Sequence, residues 1–121
     1  MTGRDLSLPK TVRLRTRPQY LAVQGDAKRR RSRHFTLLWR PNGLRQSRLG
    51  ITVTRRVAGA VGRNRVKRLV REFFRHTRAE LPSGFDLIVV AAPGAPALSL
   101  AQVRQELWEL CRNLTPPAPG A

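Results

Sequence analysis

The chain has very little acid: Asp and Glu number 7 against 24 Lys and Arg, a formal net charge of +17 over 121 residues. A folded protein so unbalanced repels itself unless a polyanion neutralises it, which points to nucleic acid as the partner. The same shortage argues against metal-dependent hydrolysis by protein side chains. That chemistry needs carboxylates gathered together, and Asp5, Asp26, Glu72, Glu80, Asp86, Glu106 and Glu109 are scattered along the chain. No catalytic side chain and no metal ligand is assigned. Cysteine occurs once, as Cys111, so no internal disulfide can form. Long hydrophobic runs are missing too. The longest, "LIVVAA" at 87–92, falls far short of the roughly 20 apolar residues that span a bilayer. "MTGRDLSLPK" has no apolar block like that of a secretory signal. The expectation is a reducing, cytoplasmic protein with no membrane contact.

What is present suffices for one domain, since 40% of the residues are hydrophobic. Segment 1–12 is short, polar and Pro-interrupted, and 115–121 is Pro-rich without periodicity, so both are expected to be loose around a single domain over 13–114. "TRPQYLAVQG" suits a short helix, with Pro18 in the first turn and Gly25 closing the far end. "HFTLLWR" alternates, placing Phe35, Leu37 and Trp39 on an apolar face, and "RLGITVT" from Arg48 alternates likewise. Joined through the turn residues "PNG", the two are expected to pair as antiparallel neighbours. "FDLIVVAA" is a continuous apolar run that fits a strand covered on both faces, with Asp86 satisfying backbone donors. Ser99 and Gln102 form a capping-box pattern before the apolar stripe Leu100, Val103, Leu107, Leu110, Cys111 and Leu114, which predicts a last helix with Cys111 buried.

Between them lies "GRNRVKRLVREFFR", inside a predicted helix from about 60 to 79 that "LPSG" ends. With Arg63 set to zero, Val66, Leu69, Val70, Phe73, Phe74 and Thr77 occupy an arc from about 240° round to about 20°. Asn64, Lys67, Arg68, Arg71, Arg75 and Arg78 fill another, from about 40° to about 140°, and Arg65 sits apart near 200°. A solvated helix face normally mixes signs, because opposite charges one turn apart stabilise it by ~0.3 kcal/mol and like charges cost a similar amount. Glu72 is alone among these cations. A phosphate array outside the protein is the simple source of compensation.

"GRNRVKRLVRE" resembles the arginine-rich signature of the bacterial ribonuclease P protein subunit, and the flanking blocks fall in that family's order. "RLRTRPQYLAVQ" is similar to its first helix, "RLGITVTRRVAGAVGRNRVKRLVREFFR" to its strand, turn and signature helix, and "FDLIVVAAPGA" to its last strand. The resemblance runs from about Leu8 to Leu114. It implies an α+β fold, a small two-layer sandwich in the order α-β-β-β-α-β-α. The four-stranded mixed sheet would have a left-handed crossover into its last strand, of a kind also found in a ribosomal protein domain. Composition and periodicity reveal three strands only; the fourth would be short, near Ala27–Arg31.

The function implied is an RNA-binding subunit of a ribozyme that removes the 5′ leader from precursor tRNA, the hydrolysis being done by the catalytic RNA. Magnesium would be bound mainly by that RNA, and the partners are the catalytic RNA and precursor tRNA, with no obligate protein partner. Carried over residue by residue, the resemblance puts Arg55, Arg56, Arg63, Asn64, Arg65, Lys67, Arg68, Arg71 and Arg75 against the RNA subunit. It puts Arg13, Arg15, Tyr20, Gln24, Thr36 and Leu38 in a cleft for the unpaired leader. Gln24 departs from the family, which usually has a second aromatic there. "KRRRSR" at 28–33 reads either as a phosphate clamp without sequence specificity or as a loose basic loop. Two other classes compete: a general RNA-binding or ribosomal protein with the same basic helix, and a protein-only nuclease using His34 and His76 as acid and base. The second lacks a nearby carboxylate in sequence to orient either ring.

Overall fold

The computed structural model describes residues 10–112 and residue 114. The segment expected to be loose, 1–12, lies outside the described residues up to residue 9, as does the Pro-rich tail 115–121. Lys10–Val12 form a 3-10 turn whose Val12 is buried in the core, so the packed domain begins before residue 13.

Helix α1 spans Arg17–Gln24. Thr16 caps it, its hydroxyl accepting from the Gln19 backbone N–H while the Gln19 side chain accepts from the Thr16 N–H, and Pro18 stands in the first turn. Strand β1 is Lys28–Arg31, the short strand that only the family resemblance supplied. Strands β2 (Phe35–Pro41) and β3 (Arg48–Thr52) follow, then helix α2 (Ala60–Thr77), strand β4 (Phe85–Ala91) and helix α3 (Leu100–Cys111). α2 ends two residues earlier than its periodicity indicated. The Thr77 hydroxyl folds back onto the Phe73 carbonyl, and Leu81 turns into the core. The capping box of α3 forms as read, on Ser99 and Gln102.

The sheet is mixed and four-stranded, in the order β1-β2-β4-β3. β2 and β3 therefore do not pair with each other. β4 lies between them, antiparallel to β2 and parallel to β3. Burial decides this: β4 is apolar at nearly every position and gains most from being enclosed on both faces and both edges, whereas β3 carries Arg48 and Thr52 and tolerates an edge.

Alternation along the strands makes two cores. On one face Phe35, Leu37, Trp39, Leu87 and Val89 pack with the apolar side of α2 and with α3. On the other, Leu38 and Ile88 pack with Leu14 and Val23 beneath α1. The expected two layers are thus the sheet and the α2–α3 pair, and α1 covers part of the opposite face. Asp86 is fully buried, and its carboxylate takes two hydrogen bonds from Arg48 (2.7 and 2.8 Å) and one from the Asn42 amide (3.0 Å), not backbone donors as expected. That pairing holds the Arg48 guanidinium pKa above its usual value. Cys111 is buried, which pushes its thiol pKa up to about 12.

Candidate nucleic-acid interface

The inward side of α2 consists of Val66, Leu69, Val70, Phe73, Phe74 and Thr77, the arc read from the helical wheel. Its anchoring on the sheet holds the other side outward at a fixed angle. Asn64, Arg68 and Arg71 are exposed there and Lys67 is half-buried. No side-chain partner within the described residues takes up Lys67, Arg68 or Arg71. The helix begins at Gly59 without a side-chain cap and without an acid in its first turn, so its positive dipole end is uncompensated. Arg55 and Arg56, both exposed, stand in the turn leading to that end.

Three expected contact residues are placed differently from this group. Arg65 donates from Nε to the Pro96 carbonyl (3.0 Å) and from Nη2 to the Leu98 carbonyl (2.9 Å). It fastens α2 to the loop before α3, which is why it sits off the basic arc. Arg63 donates to the Ala58 carbonyl (3.0 Å), stiffening the turn. Arg75 is paired with Glu72 one turn earlier, and Glu72 also meets His76 at 3.3 Å. The outward cations with no internal engagement are therefore Lys67, Arg68 and Arg71, together with Arg55 and Arg56.

Residues 13–15 run along the free edge of β3: Arg13 bridges to Leu49 in parallel fashion, and the Leu14 N–H donates to the Leu49 carbonyl (2.8 Å). One step further the Ile51 N–H donates to the Tyr20 hydroxyl (3.0 Å), so α1 is tied to the same edge by its tyrosine. Gly50 makes room for this: a Cβ there would come within 2.8 Å of the Tyr20 ring. A cavity of about 150 Å³ opens at this edge, lined by Arg13, Arg15 and Tyr20 on one side and by Lys67 and Arg71 on the other. Two residue groups carried over to different roles thus share one cationic recess. Arg13 Nε is buried there without an acceptor among the described residues.

The rest of the expected cleft divides. Leu38 is buried beneath α1 in the smaller core and is a packing residue rather than a cleft surface. Thr36, two positions along, is half-buried beside Val90, and Gln24 is exposed at the end of α1.

The competing His pair meets a carboxylate after all, though not the same one. His34 Nδ1 lies 2.9 Å from Glu106, whose other oxygen accepts from the His34 N–H (2.6 Å) and from the Ser32 hydroxyl. Burial alone would push the Glu106 pKa up, but these hydrogen bonds hold it below its usual value. Glu106 follows His34 by 72 residues, so only the packing of α3 on the sheet brings them together. Glu72 lies one turn before His76 and was visible in sequence. His34 and His76 belong to separate groups, each with its own carboxylate. Among the described residues no three His, Cys, Asp or Glu side chains gather to hold a metal, and no helix is long and apolar enough to cross a membrane.

A mixed sheet that holds one helix with its cationic side outward, beside a recess of arginines around a tyrosine, defines a small α+β protein built to face a polyanion. Residues 8–115 match the family model described as Ribonuclease P, and the chain belongs to that family. It is 38% identical to the ribonuclease P protein component of Syntrophus aciditrophicus, over 88% of this chain and 90% of the relative. It is 41% identical to that of Desulfovibrio desulfuricans, over 94% and 91%. The solved structure of the Thermotoga maritima RNase P protein in complex with 1-(4-fluorophenyl)-2-thiourea superposes with a TM-score of 0.80 at 36% identity, over 85% of this chain and all of that one. The family's fold, α+β with a four-stranded mixed sheet, is the fold found here.

Proposed function

We propose that the protein is the RNA-binding subunit of ribonuclease P and assists a catalytic RNA in removing the 5′ leader from precursor tRNA. The outward face of α2, with Lys67, Arg68 and Arg71, and the turn with Arg55 and Arg56 lie against phosphates of the catalytic RNA. Tyr20, Arg13 and Arg15 hold the unpaired leader, the ring stacking on a base and the guanidinium groups pairing with phosphate. Hydrolysis belongs to the RNA, and the protein's contribution is charge neutralisation and positioning, which lowers the repulsion between two polyanions. No residue of this chain is assigned to magnesium, whose place in this reading is on the RNA. The site of action is the cytoplasm.

One observation carries the reading: the recess at the β3 edge is shared by the leader residues and the α2 cations, so one rigid body can grip a folded RNA and a single strand side by side. The test is reconstitution. Purified protein added to the catalytic RNA is expected to increase leader removal and substrate affinity at low magnesium, and the same RNA is expected to copurify with the protein. Cleavage unchanged by the protein, with ribosomal RNA copurifying in stoichiometric amount, would instead establish a ribosomal or general RNA-binding role.

A further inference from the structure

The four cations of β1 look alike in sequence, but strand register divides them. Lys28 and Arg30 stand opposite Trp39 and Leu37 and so face α2 and α3. Arg29 and Arg31 stand opposite Leu38 and Thr36 and so face the side of the sheet that carries α1. Arg30 is withdrawn into the fold, its guanidinium 5.0 Å from the centre of the Trp39 ring and donating to the Leu110 carbonyl (2.9 Å). Arg29 and Arg31 are exposed, and their side chains have no hydrogen bond or ion pair among the described residues.

Register also aligns one residue from each strand in a row across the sheet. Arg31 is opposite Thr36, Thr36 opposite Val90, and Val90 opposite Thr52. The preceding same-face row, Leu38, Ile88 and Gly50, is buried, whereas Thr36, Val90 and Thr52 keep partial exposure. The result is a neutral floor beside α1 with charge at both ends, the Tyr20 recess by β3 and Arg31 by β1. Three strand spacings of about 4.8 Å make the floor ~14 Å long. That accommodates roughly four nucleotides at a stacked rise of 3.4 Å, fewer if splayed.

We propose that β1 is the far anchor of the single-stranded leader: the strand leaves Tyr20, crosses the sheet over Thr52, Val90 and Thr36, and has its phosphates held by Arg31 and Arg29. Small neutral side chains admit riboses and bases without competing for phosphate, and the two guanidinium groups stop the strand where the sheet ends. The inference rests on the proposed function and adds to it which residues fix the leader upstream of Tyr20.

The test uses the holoenzyme reconstituted with full-length protein and two precursor tRNAs, one with a leader too short to cross the sheet and one several nucleotides longer. Arg31→Ala, alone and with Arg29→Ala, is expected to weaken binding of the long-leader substrate. Its log–log salt slope should fall by about 0.7 per lost single-strand contact, with the short-leader substrate unaffected. Lys28→Ala is expected to change neither. Arg30→Ala should lower thermal stability while retaining the dependence on leader length. Equal losses on both substrates, or none on the long one, overturn the proposal. Edge-strand charge that merely prevents strand-to-strand aggregation gives that second result. If wild-type protein raises affinity for neither substrate, the proposed function falls and this inference with it. If it raises affinity for both and Arg31→Ala matches wild type, only this inference falls.

Discussion

Replacing Gly50 by Ala tests how the leader recess is built. An added Cβ would lie 2.8 Å from Cε2 and Cζ of Tyr20 and 2.9 Å from its hydroxyl oxygen. Carbon atoms pack at roughly 3.5–4.0 Å, so the ring must retreat by on the order of 0.7 Å. The backbone of β3 is held by β4 and cannot yield, and the retreat breaks the 3.0 Å hydrogen bond from the Ile51 N–H. Overpacking costs about 1–3 kcal/mol and the lost hydrogen bond about 1 kcal/mol, so the expected loss is ~2–3 kcal/mol. For a chain of this size that lowers Tm by roughly 6–15 °C. Stacking on the displaced ring should weaken as well, by up to ~1–3 kcal/mol for one base, while binding to the catalytic RNA alone persists. Thermal denaturation and leader-dependent affinity, measured in a double-mutant cycle with Tyr20→Ala, are the assays. With the ring gone, Gly50→Ala should cost no more than a few tenths of a kcal/mol. The same cost in both backgrounds would refute the steric argument, because the substitution would then be acting on the strand and not on the tyrosine.

Three other outcomes follow from the geometry. Arg68→Ala should reduce the salt slope of catalytic-RNA binding by about 0.9 without changing Tm, and an unchanged slope removes Arg68 from the interface. Arg65→Ala should lower Tm measurably because Pro96 and Leu98 lose their donors, whereas a salt-slope change without a Tm change would show that its main contact is RNA. Arg48→Met leaves the buried Asp86 carboxylate with only the Asn42 amide and should cost about 3–5 kcal/mol in urea denaturation; a loss below 1 kcal/mol would mean the pair contributes little. The lowered Glu106 pKa also has a definite sign. A carboxyl whose folded pKa lies below its unfolded value stabilises the fold above the unfolded value, and that stability is lost as pH falls through the folded pKa. Glu106→Gln should therefore flatten the acid limb of a stability–pH profile, and a limb identical to wild type would contradict the assignment.

Local chemistry made much of this protein legible from its residues in order. The apolar arc of α2, the capping boxes at Thr16 and Ser99, and the alternation of Phe35, Leu37 and Trp39 all came out as read, because each depends on neighbours a few positions away. Arg65 was visibly off the basic arc, and its attachment to Pro96 and Leu98 explains why. β1 carries no apolar alternation, so nothing in its composition announces a strand. It is one because it completes the hydrogen bonds of β2 and because Arg30 packs over Trp39.

The sequence by itself determined the charge, the cationic side of one helix, the apolar segments and their order along the chain. Only the tertiary structure decided which strands are neighbours, that Leu38 lies beneath α1, that Glu106 meets His34, and that Tyr20 shares a recess with Lys67 and Arg71. The reason is physical. Periodicity records which side of a segment avoids water, but partners far apart in sequence are selected by how the buried faces fit together.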